Sequence, residues 1–222
     1  MMAKHLEAEM DKMRNKLLSL TATIEDIVQK SVKALQTKNK ALAKEVIKLD
    51  NIIDQTEVEV EEDCLKILAL HQPVAIDLRY LIGVLKMNND LERIGDLAVN
   101  IAERTLYILK EAPIEAPFDI TDMAKKTNEM LKTSIDALIQ MNPDMAKEVL
   151  FMDDEVDKHN KRMYGLVYAA IKEKPEHVAA LLNYLSASRH LERIADYTTN
   201  IAEDVIYMID GTIVRHNPEI YE

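Results

Sequence analysis

The chain has 222 residues, of which 48% are hydrophobic, and a formal net charge of −11. This hydrophobic content is too high for a disordered chain, and the negative charge would repel a nucleic-acid backbone. The four glycines and six prolines are few, which is typical of long helices. A single cysteine, Cys64, excludes an intrachain disulfide. No segment reads as a membrane span or a signal peptide, so we expect a cytoplasmic protein. The composition typical of long helices predicts an all-α fold.

Prolines divide the chain into predicted helices, because proline is favoured at a first helical position and interrupts a helix elsewhere. The six predicted helices are 5–37, 40–70, 75–110, 119–141, 144–173 and 176–210. Gly211 predicts the end of the sixth helix. Helical spacing of apolar residues predicts the buried faces of the first three helices, at Leu17, Leu20, Ile24, Ile27 and Val28, at Leu65, Ile67 and Leu68, and at Ile94, Leu97, Ile101 and Ile108.

A repeat divides the chain into two units. Residues 91–103 (LERIGDLAVNIAE) return as residues 191–203 (LERIADYTTNIAE), with nine of the thirteen positions identical. Residues 43–46 (AKEV) return as 146–149, at an offset of 103 rather than 100, which predicts a shorter joint in the second unit. We therefore predict two tandem three-helix bundles, residues 1–112 and 119–222, with a linker at 113–118. The bundles pack either end to end or side by side.

Acidic residues share one face of the second and third helices in each unit, because residues four apart are neighbours on a helix surface. Antiparallel packing of these two helices would bring both acidic faces to one place in each bundle. The first unit contributes Asp50, Asp54, Glu57 and Glu61, then Glu92, Asp96, Asn100 and Glu103. The second unit contributes Asp153 and Asp157, then Glu192, Asp196, Asn200 and Glu203.

These acidic faces have two interpretations. Like charges one turn apart destabilise a helix, and a bound cation would replace that repulsion by coordination. Carboxylate oxygens suit Mg, Ca, Mn or iron ions. A solvated polar face beside the core is the alternative that needs no metal. Arg93 and Arg193 flank the carboxylates, where they would form salt bridges or contact a partner or phosphate.

The longer strings resemble the PhoU family of phosphate-transport regulators. The resemblance lies in residues 89–96 (NDLERIGD) with 100–103 (NIAE), in their copy at 191–203, in residues 73–79 (PVAIDLR), and in Gly211 followed by Arg215 and His216. It implies two three-helix bundles with iron or zinc sites on Glu/Asp-x-x-x-Asp motifs. The implied metal ligands are Asp50, Asp54, Glu92 and Asp96, and Asp153, Asp157, Glu192 and Asp196, with Asn100, Glu103, Asn200 and Glu203 as less central members.

The resemblance also implies a function in phosphate homeostasis. It implies a negative regulator of the phosphate-starvation response that binds the ATPase subunit of the phosphate ABC transporter and a membrane sensor histidine kinase. Contact with the membrane would be indirect, through these partners, and a homodimer is expected. Asp77 and Arg79 have no counterpart in the second unit, so they are the candidate partner-binding residues.

Catalysis has weak support in the sequence. There is no glycine-rich phosphate loop, no Ser-His-Asp or Cys-His constellation and no Glu-x-x-His pair. Cys64 lies among apolar residues, and His190 points toward the apolar side of its helix. We therefore expect a regulatory adaptor rather than an enzyme. The alternatives are a metal-dependent enzyme on a carboxylate-rich bundle and a helical scaffold without metal.

Overall fold

The computed structural model describes residues 2–214, with side chains from residue 5 onward. Arg215 and His216, which the family resemblance included, lie outside these residues. The described part of the chain is helical and contains no strand, which confirms the predicted all-α class. The helices are α1 Met2–Gln36, α2 Lys40–His71, α3 Ala75–Ile108, α4 Thr121–Gln140, α5 Pro143–Glu173 and α6 Val178–Asp210, with a 3-10 turn at Pro175–His177 before α6.

Local sequence signals set several helix ends. The Asn39 side chain accepts hydrogen bonds from two backbone N–H groups in the first turn of α2, and Asn142 does the same for α5. Pro143 occupies the first turn of α5, where a backbone N–H is not needed. Gly211 ends α6 as predicted, with a φ of 72° that favours glycine. The equivalent caps on α2 and α5 show that the repeat extends to the turns.

The hydrophobic core follows the predicted faces with one correction. All five predicted core residues of α1 are buried, and those of α3 are buried as well. Leu65 of α2 was predicted to face the core, yet it is 52% exposed. Cys64 and Ile67 fill that side of α2 instead. Because successive helical residues are 100° apart, Leu65 turns away from the core once Cys64 points into it.

Each unit forms a three-helix bundle, and the two bundles lie side by side. Helices α1, α2 and α3 pack on one another, and α4, α5 and α6 do the same. Helices α3 and α6 form the main contact between the bundles. They run antiparallel, since Lys86 pairs with Asp204 at one end and Arg104 with Asn183 toward the other. The sequence is compatible with end-to-end packing and with side-by-side packing, and in the structure the bundles lie side by side.

The segment between Ile108 and Thr121 contains no helix, in agreement with the two prolines predicted to lie in a linker. Lys38 Nζ donates to the carbonyl oxygen of Ile114 at 2.8 Å, which ties this segment to the end of α1. The division into domains 1–112 and 119–222 stays a prediction. Within the described residues, no helix combines the length and apolar character needed to cross a bilayer.

Candidate metal centres on the acidic faces

The first bundle brings the carboxylates of α2 and α3 together. Burial raises the pKa of Asp50 above its ordinary value, and the negative charges of Asp54, Asp96 and Glu103 raise it further. Two of these neighbours lie on α3, far from Asp50 in sequence. The acidic faces of α2 and α3 therefore point toward each other, as the antiparallel arrangement predicts.

Glu92 belongs to the same cluster. Burial is the main cause that raises the pKa of Glu92, and the negative charge of Asp96 is the next. Arg93 lowers this pKa, whereas Asp54 and Glu57 on α2 raise it further. Arg93 Nε lies 3.5 Å from Glu92 Oε2, and Arg93 Nη1 lies 3.5 Å from Asp96 Oδ2. Arg93 therefore forms the predicted salt bridges to the carboxylates of its own helix, on the exposed rim of the cluster.

The second bundle repeats this arrangement with a stronger effect. Burial, followed by the charges of Asp196, Asp157, Asp154 and Glu192, raises the pKa of Asp153 from 3.8 to about 6. Asp153 and Asp157 lie on α5, whereas Asp196 and Glu192 lie on α6. The structure thus gathers all four of the predicted carboxylates of this unit into one electrostatically coupled group.

Arginines moderate the second cluster as they do the first. Burial raises the pKa of Glu192, and so do the charges of Asp196 and Asp157, whereas Arg189 and Arg193 lower it. Burial and Asp157 also raise the pKa of Asp196, again against Arg193. The guanidinium of Arg193 therefore acts on the α6 carboxylates in the same direction as Arg93 acts on α3.

The less central candidates lie farther along α3 and α6. Glu103 acts on Asp50 and also pairs with Arg104 at 3.5 Å, so it links the first cluster to the contact between the bundles. Glu203 lines a small surface cavity together with Lys86, at the end of that contact. The remaining two candidates are half-buried one turn beyond Asp96 and Asp196, at Asn100 and Asn200.

A buried polar contact joins the middle and last helices beside each cluster. In the first bundle, Asn88 Nδ2 donates to the Glu57 carbonyl oxygen at 2.9 Å and to Glu57 Oε1 at 3.2 Å. In the second, Ser188 Oγ donates to Asn160 Oδ1 at 2.9 Å. The positions correspond through the repeat, but the residue types differ. Sequence reasoning placed Glu57 on the acidic face and missed Asn88, whose only signal is its place one turn before Glu92.

The chemistry of these clusters fits a hard cation or iron. All four central ligands of each cluster offer carboxylate oxygens, which Mg, Ca, Mn and iron accept. Asp50 Oδ1 is buried and lacks a hydrogen-bond partner, so a cation there would satisfy it. Between residues 5 and 214, no group of three or more His, Cys, Asp or Glu side chains is placed so that it could hold a metal ion. Binding would therefore require side-chain rotation, and the predicted metal sites stay predictions.

The predicted partner-binding residues lie in the first turns of α3. Asp77 is exposed, whereas Arg79 is half-buried, and its Nε is buried without a hydrogen-bond partner. The Arg79 guanidinium lies against Gly211 at the end of α6. Val74 and Ile76 beside them are 74% and 64% exposed. This end of the molecule thus presents charged and apolar side chains together, a composition that protein interfaces use.

Of two side chains with catalytic chemistry, Cys64 is buried and His190 is half-buried. Burial raises the pKa of the Cys64 thiol to about 12, so this cysteine is a thiol at neutral pH. Burial, together with the charges of Arg104, Arg193 and Arg189, lowers the pKa of His190 to about 4. Both therefore agree with the core or boundary positions predicted for them.

Fold and site together define an all-helical tandem-repeat protein with one carboxylate cluster in each repeat. The PhoU domain family matches residues 17–105 and 120–205, one domain in each bundle. The chain belongs to the PhoU family.

Several relatives support this assignment. The chain is 36% identical over 208 residues to the phosphate-specific transport system accessory protein PhoU homolog of Aquifex aeolicus, covering 94% of each chain. The crystal structure of PhoU from Pseudomonas aeruginosa superposes with a TM-score of 0.88 at 35% identity, covering 93% of this chain and 99% of that one. The phosphate transport system regulatory protein PhoU from Streptococcus pneumoniae gives 0.81 at 27% identity, covering 94% and 99%. These relatives are named as accessory and regulatory proteins, which agrees with the prediction that the chain is not an enzyme.

Proposed function

We propose that this chain is an accessory protein of phosphate transport that holds the phosphate-starvation response off when phosphate is plentiful. It does so by binding the ATPase subunit of the phosphate transporter and a sensor histidine kinase. The observation that supports this most is the full-length similarity to phosphate-transport accessory proteins. Acidic clusters and an exposed interaction surface, without a catalytic constellation, fit action by binding.

The protein would act by favouring particular states of its partners. A binding protein shifts a partner's equilibrium only by its difference in affinity for the partner's states. The surface around Asp77 and Arg79 occurs in the first unit only, since the second unit has His177 and Ala179 at these positions. The two bundles therefore offer different surfaces, and one molecule could contact two different partners.

The acidic clusters would bind metal ions. Asp50, Asp54, Glu92 and Asp96 would hold ions in the first bundle, and the second bundle would use Asp153, Asp157, Glu192 and Asp196. A bound ion supplies positive charge, which replaces the repulsion between carboxylates by attraction. The chain's own carboxylates would then draw α2 toward α3, and α5 toward α6, which stiffens each bundle. Arg93 and Arg193 would neutralise the charge that remains at the rim.

The partner proposal is tested by affinity capture with the purified ATPase subunit and histidine kinase, at high and at low phosphate. We expect both partners to be captured, and Arg79→Ala to weaken capture at least several-fold. Arg162→Ala, at an exposed site on α5, is the matched control and should leave capture unchanged. Deleting the gene should leave the response on at high phosphate. Failure to capture either partner, together with robust hydrolytic or redox turnover, would favour the enzyme alternative.

The metal proposal is tested separately by elemental analysis of the purified protein after dialysis. We expect bound metal in the native chain and a clear loss in the double variant Asp96→Ala, Asp196→Ala. The control is Asp11→Ala with Asp144→Ala, which removes two carboxylates outside both clusters. Equal metal content in the two double variants would refute the acidic sites and leave the partner proposal standing.

A further inference from the structure

A group of metal-binding side chains lies at the far end of the first bundle, away from the acidic clusters. Glu9 of α1 accepts a hydrogen bond from the ring of His71, at the end of α2, with 2.9 Å between Glu9 Oε2 and His71 Nε2. His5 lies one turn before Glu9 on the same face of α1, with its Nε2 3.7 Å from Glu9 Oε1. The two imidazole rings are 5.7 Å apart. Two imidazoles and one carboxylate thus lie beside one another.

We propose that His5, Glu9 and His71 bind one zinc-like ion, independently of the acidic clusters. Two histidines and one glutamate are a ligand set that zinc uses, with a water in the fourth position. Two of the ligands come from adjacent turns of one helix, and the third comes from a neighbouring helix. The ion would fasten the first turns of α1 to the last turn of α2.

The burial pattern supports a partly prepared site. The side chains of His71 and Glu9 are only 8% and 17% exposed, so packing fixes two of the three ligands. His5 is 71% exposed, and its ring is free to turn toward an arriving ion. As described, the three side chains bond one another, and no three such side chains among residues 5–214 are placed so that they could hold a metal ion. Binding would therefore require the exposed His5 ring to leave its present position beside Glu9.

Lys66 is the competing cation. Its Nζ lies 3.3 Å from Glu9 Oε1, where it neutralises the carboxylate in the absence of metal. Because the Lys66 side chain is 57% exposed, it can withdraw into solvent when a divalent ion arrives. A metal ion would then replace one positive charge by two beside the same carboxylate. The last turn of α2 leads directly to Val74 and Asp77, so the ion would steady the proposed partner surface.

The test is a Co²⁺ titration followed by visible absorption, because four-coordinate Co²⁺ absorbs far more strongly than the six-coordinate ion expected on carboxylates alone. The native chain should show one four-coordinate Co²⁺ that Zn²⁺ displaces. His5→Ala and His71→Ala should each abolish this band, with the helical circular dichroism unchanged. Since His5 is exposed, its variant remains informative even if the His71 variant unfolds.

A matched control exists on α5. His159 follows Glu155 by one turn, and Lys126 pairs with Glu155 at 2.9 Å, much as Lys66 pairs with Glu9. His159→Ala should therefore keep the band, and so should the double variant Asp96→Ala, Asp196→Ala. The proposal is overturned if the native chain gives no four-coordinate band, if the band survives in His5→Ala, or if it disappears in the acidic-site variant.

Discussion

Burial gives different properties to side chains that occupy equivalent positions in the repeat. Asp50 and Asp153 correspond in sequence, and burial raises the pKa of both. Only the pKa of Asp153 is raised as far as about 6, because this side chain is more deeply buried and four carboxylates act on it, against three for Asp50. A charge that folding destabilises in this way must lower the stability of the metal-free protein at neutral pH.

The first prediction concerns Asp153→Asn in the presence of a chelator. The folded state binds a proton at Asp153 more readily than the unfolded state, so this residue costs stability as pH rises from about 4 to about 6. The variant should therefore be more stable than the native chain at pH 7.5, on the order of 1–2 kcal/mol, and equal to it near pH 4. Urea unfolding at both pH values measures this. Asp154→Asn, at an exposed neighbour, should show little change; an equal effect there would contradict the role of burial.

Glycine positions give a second prediction, because the surroundings of two helical glycines differ. A Cβ at Gly165 would meet no atom within 4 Å, so Gly165→Ala should stabilise the chain by about 1 kcal/mol through helix propensity. A Cβ at Gly95 would lie 3.1 Å from Ile53 Cδ1 and 3.2 Å from Ile24 Cδ1. Gly95→Leu should therefore destabilise by about 2 kcal/mol or more. Urea unfolding measures the stability of both variants. If Gly95→Leu is as stable as the native chain, the core beside Gly95 has room for a side chain.

At the scale of the helix, the repeat preserves start signals as well as faces. Asn39 accepts from Ala41 N at 3.0 Å and from Leu42 N at 3.1 Å. Asn142 accepts from Asp144 N at 3.0 Å and from the next residue's N at 3.3 Å. Each cap satisfies backbone donors that the helix itself leaves unpaired, so α2 and α5 begin at corresponding residues. The acidic faces of the two bundles depend on this, since the starting residue fixes which side chains point toward α3 or α6.

The third prediction tests these caps. Asn39→Ala and Asn142→Ala should each lower the free energy of unfolding by about 1 kcal/mol, because both leave first-turn N–H groups without an acceptor. Asn51→Ala, at an exposed position inside α2, provides the comparison and should be neutral or slightly stabilising. Thermal and urea unfolding measure all three variants. If Asn39→Ala and Asn142→Ala lower the free energy of unfolding no more than Asn51→Ala does, packing alone sets these helix ends.

At the scale of the whole molecule, the contact between α3 and α6 joins the bundles, and different residue pairs form its two ends. Lys86 of α3 pairs with Asp204 of α6 at 3.0 Å and lies over the Tyr207 ring at 5.4 Å. At the other end, Arg104 donates to Asn183 at 3.4 Å. The repeat makes residues 104 and 204 equivalent, yet one is basic and the other acidic. This difference gives each end its own pairing and so helps to fix one register between the antiparallel helices.

The fourth prediction concerns Lys86→Met. The Asp204 side chain is only 4% exposed, so removing the Lys86 ammonium from beside it should destabilise the protein by about 1–3 kcal/mol. The loss stays below that of a fully buried pair because Lys86 is 43% exposed. Lys126→Met, which breaks an ion pair with the exposed Glu155, should leave stability nearly unchanged, because solvent screens that pair. Equal losses in the two variants would show that the Lys86 pair has no special part in holding the bundles together.

The sequence by itself determined the helical class, the two units, most helix ends and the acidic faces. These properties follow from local periodicity, prolines and caps, and the short joints leave neighbouring helices no choice but to run antiparallel. That the charge of Asp96 acts on Asp50 from the neighbouring helix could therefore be predicted. The exposure of Leu65 could not be predicted, because an apolar residue at the border of a helix face does not reveal which side the core will occupy.

Only the tertiary structure decided the contacts between residues that no local rule connects. The side-by-side packing of α3 and α6, the hydrogen bond from Asn88 to Glu57 and the group of His5, Glu9 and His71 all depend on how helices rotate about their axes. That rotation is set by the packing of whole faces, to which each residue contributes little. The depth of burial of Asp153, and hence its raised pKa, has the same origin: it is a property of the space between two helices.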